Sequence, residues 1–313
     1  MIFCNCQNLL KMLDAFQLSA IRFTLISKSI LHRNQSKDSQ WLEVISMIKQ
    51  VPRWMNTIGR VAFMNCDPLF VGLDDSFHVL PAPPSWLTGH LLRRDCVLAP
   101  IPAADFAKHH DELALVPEIG ICSKGEVGSV LVFGNRPLEE MRDIALPTDS
   151  SSSVALLKFL LKERDLDPRP VEMGPDLDSM LERCDGALLI GDRALDRAKT
   201  DPELVRLDLG QAWLERTGQP MVFGVFAARK DTPIEAVRLA HQALLERLHS
   251  FENDPLTREK VLLHAHLHSD MAMDRLNRYF GEVFNRLDTE HVDGLQEYLM
   301  RCCGMDEELT FLW

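Results

Sequence analysis

The sequence predicts an α/β protein in which two α/β segments flank a central cleft and the C-terminal part is helical. Between residues 58 and 228, short apolar runs alternate with amphipathic helical patterns, which is typical of mostly parallel sheets covered by helices on both faces. Beyond residue 228 the alternation ends and helical periodicity continues. Polar residues follow predicted strands in both segments, and ligands of open α/β sheets lie beyond the carboxyl ends of strands. The cleft is therefore expected between two lobes.

The individual elements follow from apolar spacing. Apolar runs bounded by turn formers predict buried strands at 58–64, 96–99, 127–133, 144–146, 186–190 and 221–228. Apolar residues at helical spacing predict helices at 83–94, 103–109, 155–164, 176–183, 257–268, 271–287 and 290–300. A further helix is predicted after Thr232, because Thr232 and Glu235 have capping-box spacing and Pro233 suits the first helical turn.

A run of hydroxyl side chains precedes one of these helices. Thr148 and the four serines at 150–153 stand directly before the amphipathic pattern at 155–164. The first backbone N–H groups of a helix have no intrahelical partner, and the helix dipole is positive there. One or two hydroxyls suffice for a helix cap, so five hydroxyls in six positions favour an anion-binding site over capping alone.

The composition narrows the class of protein. With 313 residues, 46% hydrophobic and 26% charged, the chain is typical of a globular protein with two domains. Its formal charge of −12 argues against a nucleic-acid partner, and no apolar run reaches the ~20 residues that span a membrane. Eight cysteines without a Cys-x-x-Cys pair indicate reduced thiols. We therefore expect a cytoplasmic protein that binds a small anion.

A histidine tract raises the question of a metal. His264 and His268 share a helix face, but no glutamate stands where a zinc-binding helix motif needs one. We expect a solvated helix face there and no metal. The sequence leaves open whether the protein is a monomer or a homodimer.

Residues 1–54 differ from the rest of the chain in charge. They hold seven Lys or Arg and three acidic residues, whereas the remainder is strongly acidic. Lys11, Asp14 and Arg22 interrupt their apolar stretches, which does not fit a secretory signal peptide. We predict a basic extension before the domain proper, which would begin at Met55. The sequence leaves open whether this extension is ordered.

Three polar residues in or directly after predicted strands admit two interpretations each. Asn65 precedes Asp67 and Pro68 as a turn former would. Asp192 has the position of a helix cap, and Ser129 fits a hydrogen-bonded core residue. All three also lie where a ligand would be contacted, so the residue types alone leave both interpretations open.

Six short motifs occur along the chain in a fixed order. They are IGRVAFMN at 58–65 with Pro68 and Leu69 following, SKGEVGSVL at 123–131, SSSVAL at 151–156, DGALLIGDRAL at 185–195, DLGQAW at 208–213 and TGQPMVF at 217–223. Each motif is weak alone, but together and in this order they resemble the menaquinone-biosynthesis chorismate dehydratases of the futalosine pathway. The resemblance covers residues 58–313.

The resemblance implies a fold and a reaction. The fold would be similar to that of type II periplasmic binding proteins, with a substrate cleft between two lobes and crossing strands near 127–133 and 221–228. One lobe would combine residues 58–134 with 225–313, and the other would contain 135–224. The implied reaction removes water from chorismate, the small-molecule partner, to give 3-[(1-carboxyvinyl)oxy]benzoate. It is a carbon–oxygen lyase reaction that is expected to need no metal or organic cofactor.

The resemblance also implies site residues. Asn65 and Ser129 match family positions implicated in catalysis or substrate contact. An amide is no useful base, so Asn65 is expected to orient a substrate carboxylate or the leaving hydroxyl, while a carboxylate of the substrate is a candidate proton acceptor. The other substrate contacts are expected from Ser123, Gly125, Val127, Ser151, Ser152, Ser153, Gly191 and Asp192.

Two other functions stay open at this point. The 1,4-dihydroxy-6-naphthoate synthases of the same pathway have a similar fold and would act on a different substrate. An anionic solute-binding protein would use the fold to capture a ligand and release it unchanged. Such a protein normally carries an export signal, which we do not expect here.

Overall fold

The computed structural model describes residues 52–313, so most of the predicted basic extension lies outside the described residues. The first part of the chain forms β1 (Thr57–Val61), α1 (Asp67–Phe70), β2 (His78–Ala82), α2 (Pro84–Leu92), β3 (Ala99–Pro102), α3 (Ala103–His109) and β4 (Leu113–Ser123). The middle forms β5 (Val130–Gly134), β6 (Asp143–Pro147), α4 (Ser151–Lys162), β7 (Arg169–Met173), α5 (Leu177–Arg183), β8 (Gly186–Ile190), α6 (Gly191–Thr200), β9 (Val205–Asp208) and α7 (Leu209–Thr217). The last part forms β10 (Met221–Arg229), α8 (Ile234–Asn253), α9 (Pro255–Leu267), α10 (Met273–Glu282), β11 (Phe284–Leu287) and α11 (Thr289–Cys303).

Lobe 1 is built from both ends of the described chain. Its four-stranded sheet has the order β11-β4-β10-β3, and every pairing in it is antiparallel. Strands β1 and β2 pair in parallel, and a bridge from Ile58 to Leu98 joins them to the segment that leads into β3. The helical C-terminal part, predicted from periodicity, packs onto this lobe through contacts such as α11 with β10 and α8 with α1.

Lobe 2 is a five-stranded sheet of order β7-β6-β8-β5-β9 with helices on both faces. Alternate residues of each central strand point to opposite faces. Val132 and Leu188 therefore join the large core that includes α4 and α7, whereas Phe133 and Leu189 join a second core with α5. Burial on both faces explains why these strands appear as continuous apolar runs in the sequence.

Two short segments connect the lobes. Residues 124–129 lead from β4 in lobe 1 to β5 in lobe 2, and residues 218–220 lead from α7 back to β10. Strand pairing thus puts β5 in lobe 2 and all of β10 in lobe 1, so lobe 2 extends from about 130 to 217 rather than over the predicted 135–224. The sequence cannot supply this boundary, because it does not show which strands pair.

The sheets are not mostly parallel, which corrects the sequence prediction: the four-stranded sheet of lobe 1 is antiparallel and the five-stranded sheet of lobe 2 is mixed. Strand β6 runs parallel to β7 and β8, but β5 is antiparallel to β8 and β9. The long strand β4 was missed because Pro117 and Glu118 interrupt it, and Glu118 adopts a positive φ of 66°. The short strands β2, β7 and β9 were also not predicted, because all three are partly exposed and carry no continuous apolar run.

Two helix predictions also differ from the structure. The helix predicted at 271–287 ends at Glu282, and the remaining residues form β11, an edge strand beside β4. The capping box is not formed: α8 begins at Ile234 after Pro233, and Thr232 Oγ1 has no hydrogen-bond partner among the described residues. None of the described helices is long and apolar enough to cross a membrane.

Candidate functional site

A cavity of about 50 Å³ lies between the two lobes. Its apolar wall includes Phe63, Ile121 and Phe223 of lobe 1 and Val130 and Ile190 of lobe 2. A typical small-molecule pocket measures ~300–1,000 Å³, so this cavity is too small for such a ligand with the lobes as they stand here. A ligand of that class therefore has to enter through their separation.

The polar part of the cavity wall is entirely uncharged. Among the described residues it consists of one amide and four hydroxyls, from Asn65, Ser129, Ser150, Ser152 and Ser153. No Asp, Glu, His, Lys, Arg or Cys side chain of residues 52–313 lines this cavity. The wall therefore offers hydrogen bonds and backbone dipoles to a ligand, but no side chain that could accept a proton at neutral pH.

Asn65 is placed by a tight turn that follows β1. Residues 64–66 form one turn of 3₁₀-helix that continues directly into α1. The Asn65 side chain is buried at the cavity wall, and its Oδ1 atom has no hydrogen-bond partner among the described residues. An unpaired buried acceptor costs about 1–3 kcal/mol, which a ligand donor would offset.

Ser129 stands where the chain has just crossed into lobe 2. Its hydroxyl accepts a hydrogen bond from Tyr279 Oη of α10 at 3.2 Å. Its backbone carbonyl accepts one from the N–H of Gly191 at 2.7 Å. Both interactions hold Ser129 at the cavity wall, one from each lobe.

The serine run forms the first turn of α4, as predicted, but only part of it faces the cavity. Ser150, Ser152 and Ser153 line the wall, whereas Ser151 lines a separate groove on the other side of α4 and Thr148 is exposed. Ser150 is the N-cap residue, and its Oγ donates to Ser153 Oγ at 2.8 Å rather than capping the helix. The first N–H groups of α4 are therefore not used by a side-chain cap.

Lobe 1 holds the serine helix in place at Ser152. The Oγ atom of Ser152 accepts a hydrogen bond from the N–H of Ala104 at 3.1 Å, and its carbonyl accepts one from Tyr298 Oη at 3.0 Å. Because Ala104 and Tyr298 belong to lobe 1, these bonds exist only when the lobes meet.

The predicted loop at 123–127 mainly belongs to the segment that connects β4 to β5, and only part of it lines the cavity. Val127 is part of the wall, but Ser123 and Gly125 are not. Asp208 accepts hydrogen bonds from the N–H groups of Val127 and Gly128, at 3.1 and 2.8 Å, and so ties the crossing segment to the start of α7. The neighbouring Glu126 side chain is exposed and lies away from the cavity.

Of the predicted pair Gly191 and Asp192, only the glycine lines the cavity. The Asp192 carboxylate accepts the N–H of Met64 in lobe 1, at 3.1 and 3.2 Å to its two oxygens. Burial raises the pKa of Asp192 to about 6, against the lowering effect of the Met64 hydrogen bond. The structure thus gives Asp192 a partner in the protein in place of the predicted substrate contact.

A buried carboxylate, that of Asp67, lies next to the Asn65 turn. Asp67 forms an ion pair with Arg60, yet burial raises the pKa of Asp67 to about 7 because desolvation outweighs the attraction of the guanidinium. Neither Asp67 nor Arg60 lines the cavity. This pair sits behind the wall and supports the turn.

Sequence reasoning missed Ser150, Tyr279 and Phe63 as site residues. Ser150 belongs to the serine run at 150–153, and that run is the sequence signal that could have identified it. Tyr279 lies 150 residues from Ser129 along the chain, and no local pattern connects them. The ring of Phe63 lines the cavity and also contacts Arg193 of the opposite lobe, with the guanidinium carbon 5.4 Å from the ring centroid.

The histidine tract does not form a metal centre in the described part of the chain. His268 Nδ1 is 2.7 Å from the backbone carbonyl of His264, and the two imidazole rings lie 4.2 Å apart. Residues 52–313 contain no group of three or more His, Cys, Asp or Glu side chains arranged to hold a metal.

Solved structures with similar folds include a protein from Archaeoglobus fulgidus, with a TM-score of 0.62 and 17% identity over 78% of this chain and 95% of that chain. Another is a Candida albicans protein described as having the generic periplasmic-binding-protein fold, with a TM-score of 0.57 and 12% identity over 80% of this chain and 90% of that chain. At such identities the likeness concerns the fold alone. It confirms the predicted periplasmic-binding-protein-like fold.

Proteins with similar sequences identify the family of this chain, which the fold alone does not. A chorismate dehydratase from Thermus thermophilus is 35% identical over 213 residues, which are 61% of this chain and 78% of that protein. A family model described as menaquinone biosynthesis matches residues 56–303, the range that contains the cavity and all six sequence motifs. The chain therefore belongs to the menaquinone biosynthesis family.

Proposed function

We propose that this protein is a chorismate dehydratase, which converts chorismate to 3-[(1-carboxyvinyl)oxy]benzoate and water in menaquinone biosynthesis by the futalosine pathway. The observation that carries the proposal is the interlobe cavity with its uncharged polar wall. The 35% identity to the Thermus thermophilus chorismate dehydratase supports it. The proposed class is carbon–oxygen lyase, and the proposed compartment is the cytoplasm, in keeping with the relationship to a biosynthetic enzyme.

The substrate itself supplies the driving force of this reaction. Chorismate carries two carboxylates, a ring diene, an enolpyruvyl ether at C3 and a hydroxyl at C4. Loss of the C3 proton and the C4 hydroxyl makes the ring aromatic. The protein has to bind a dianion, orient it, exclude water, and assist the proton and hydroxide as they leave.

The dianion would be bound by dipoles rather than by cations. Ser152 and Ser153 lie at the start of α4 beside backbone N–H groups that no side chain caps. The positive end of the helix dipole is a suitable site for a carboxylate. We assign one substrate carboxylate to this position.

Asn65 and Ser129 would then act on the ring. The unpaired Asn65 Oδ1 can accept a hydrogen bond from the C4 hydroxyl, and Ser129 Oγ, held by Tyr279, lies on the same cavity wall. No described side chain of the wall is a general base at neutral pH, so we assign the proton at C3 to a carboxylate of the substrate, from which it combines with the departing C4 hydroxide to give water. This assignment follows from the chemistry of the wall.

The decisive experiment is incubation of the purified protein with chorismate, followed by mass spectrometry of the products. We expect the benzoate ether, at the mass of chorismate minus one water. Return of unchanged chorismate from a tightly binding protein would indicate a solute-binding function instead. Absence of both binding and turnover would contradict the proposal and favour the naphthoate synthase alternative.

The variant Asn65→Ala tests the assigned role of this side chain and is compared with the wild type. We expect turnover to fall by about 10²-fold or more, the range for loss of one preorganised polar group at a reacting centre, while the circular dichroism spectrum stays unchanged and the melting temperature does not fall. Wild-type turnover by a folded Asn65→Ala protein would rule out the assigned role of this residue.

A further inference from the structure

The start of α6 contacts the chain segments that carry the proposed catalytic and binding groups. The N–H of Gly191 donates to the carbonyl of Ser129 at 2.7 Å. Arg193 forms an ion pair with Asp149, the residue directly before the serine run. One turn of helix in lobe 2 thus contacts both Ser129 and the segment that carries the serines.

The same turn reaches across to lobe 1. Asp192 accepts the N–H of Met64, at 3.1 and 3.2 Å, and Arg193 lies over the ring of Phe63, 5.4 Å from its centroid. We call residues 191–193 together with residues 63–64 the interlobe contact. Residue 65, which follows it directly, is the asparagine whose side chain lines the cavity.

The interlobe contact is close-packed as well as hydrogen-bonded. Gly191 adopts a φ of +64°, and a Cβ atom built on it would lie 2.6 Å from the Phe63 ring. The backbone of α6 therefore approaches the ring as closely as a residue without a side chain allows. A shift of lobe 2 relative to lobe 1 would separate the Phe63–Gly191 packing, the Met64–Asp192 hydrogen bond and the Phe63–Arg193 contact together.

We propose that Asp192 and Arg193 are positioning residues, which hold Phe63 and Met64 when the lobes close and thereby fix the Asn65 amide in the cavity. The proposal rests on the proposed function, since it explains how closure would complete that site. Neither residue touches the cavity itself. Substrate would bind first at the serine helix, and closure would then bring Asn65 to it.

The test compares three variants on the same helix. Asp192→Ala removes both acceptor oxygens, Asp192→Asn keeps one of them, and Asp196→Ala changes an exposed carboxylate one turn further along α6. We expect Asp192→Ala to lower kcat by about 10- to 100-fold, the effect of losing a hydrogen bond to a charged acceptor. The KM for chorismate should rise less than about threefold, because the serine helix is intact. Asp192→Asn should recover part of kcat, and Asp196→Ala should match the wild type.

Hydrogen exchange provides a readout that does not depend on turnover. In the wild type the Met64 amide is bonded to Asp192, so the peptide around residues 63–66 should exchange slowly. In Asp192→Ala we expect exchange there to accelerate at least tenfold, while the core strand β8 stays protected. Asp196→Ala should leave both segments unchanged.

The outcomes separate this proposal from the proposed function. If the wild type does not act on chorismate, the function is wrong, and the exchange result still decides whether the interlobe contact forms. If the wild type is active but Asp192→Ala has normal kcat and raised KM, Asp192 binds substrate and the positioning role is wrong. Accelerated exchange with unchanged kcat would also overturn it, because the contact would then exist without placing Asn65.

A conservative change at Arg193 gives an independent check. Arg193→Lys keeps the charge but loses the planar guanidinium that lies over Phe63. We expect Arg193→Lys to reduce kcat a few-fold in the wild-type background. In the Asp192→Ala background it should cause no further reduction, since both changes act through the same contact. Full additivity of the two variants would contradict a shared role.

Discussion

The Tyr279 hydroxyl donates a hydrogen bond to Ser129 Oγ across 3.2 Å, and both side chains are buried. Burial raises the pKa of Tyr279 far above its usual range, so the phenol remains a donor at every physiological pH. Because Tyr279 belongs to α10 of lobe 1 and Ser129 to the crossing segment, this bond sets the direction of the Ser129 hydroxyl from the opposite lobe.

Tyr279→Phe should therefore reduce turnover without unfolding the protein. The change removes only the hydroxyl and keeps the ring packing. We expect kcat for chorismate to fall about 3- to 10-fold, which corresponds to one neutral hydrogen bond of ~0.5–1.5 kcal/mol. In the Ser129→Ala background the same change should have no further effect on kcat, because its only route of action is gone.

The control for this cycle is Tyr298→Phe. Tyr298 is equally buried, but its hydroxyl donates to the backbone carbonyl of Ser152. Its loss should add to the effect of Ser129→Ala. If Tyr279→Phe also adds in full, Tyr279 does not act through Ser129.

The two faces of α4 should differ in their effect on substrate binding. Ser153 lines the cavity, whereas its neighbour Ser151 lines the outer groove. We expect Ser153→Ala to raise the KM for chorismate about 5- to 10-fold in steady-state assays, because one hydrogen bond to a carboxylate is lost. Ser151→Ala should leave this KM within twofold of wild type. Equal effects of the two variants would show that the helix start does not bind the substrate.

The parts of the fold that sequence reasoning predicted well are those with local signals. Strand β8 was predicted at its observed bounds, Gly186–Ile190, because five apolar residues stand between turn formers. Helix α3 was likewise predicted at Ala103–His109. In both cases the pattern within the element itself was sufficient.

The parts that were missed depend on pairing between distant segments. Strand β11 was predicted as the end of a helix, and it is a strand because Phe284 pairs with Cys122, far away in the chain. The direction of β5 is likewise set by its antiparallel neighbours β8 and β9. No periodicity in the sequence encodes such partners.

The residues of the candidate site also divide into those with a local signal in the sequence and those whose role depends on a distant segment. Asn65, Ser129, Ser152 and Ser153 were predicted from strand ends, the serine run and the resemblance, and the structure brings them to one cavity wall. The role of Asp192 was not predictable, because a residue next to a glycine at a helix start has the same local pattern whether it contacts a ligand or a backbone N–H from the other lobe. Only the position of Met64 distinguishes the two.

Two glycines with the same backbone conformation should respond differently to alanine. Gly191 and Gly218 have φ values of +64° and +72°, so alanine at either position costs about 1–2 kcal/mol of unfolding free energy. A Cβ on Gly218 meets nothing within 4 Å, whereas one on Gly191 would collide with the Phe63 ring. We expect Gly191→Ala to lose at least as much stability as Gly218→Ala in urea titrations, and only Gly191→Ala to lose kcat/KM for chorismate, by tenfold or more. Similar activity in the two would show that the close approach to Phe63 is not needed.

The partly buried carboxylate of Asp192 should leave a signature in the pH dependence of stability. An aspartate in an unfolded chain has a pKa near 3.9, and burial raises the pKa of Asp192 to about 6 in the folded protein. Between these values the folded protein holds a proton that the unfolded chain has released. The stabilising contribution of this group is thus fully present below about pH 4 and is lost as the pH rises through about 6.

The charges around Asp192 act in both directions on its pKa. Those that face it are Arg193, Arg60, Asp196 and Asp67. The two arginines lower the pKa of Asp192 and Asp196 raises it, but burial is the largest effect. A comparison between variants at each pH cancels the titration of groups that the variants share.

Asp192→Asn removes this titrating group and keeps the shape of the side chain. The free energy of unfolding of the variant, minus that of the wild type, should therefore rise between about pH 4 and pH 7 and then level off. The contrast is Asp254→Asn at the N-cap of α9, where hydrogen bonds from Thr257 lower the pKa of Asp254. That variant should lose stability relative to the wild type as the pH rises through the acid range, the opposite sign. Urea unfolding curves at several pH values measure both differences, and parallel curves for Asp192→Asn and the wild type would show that this carboxylate is not buried when the lobes are closed.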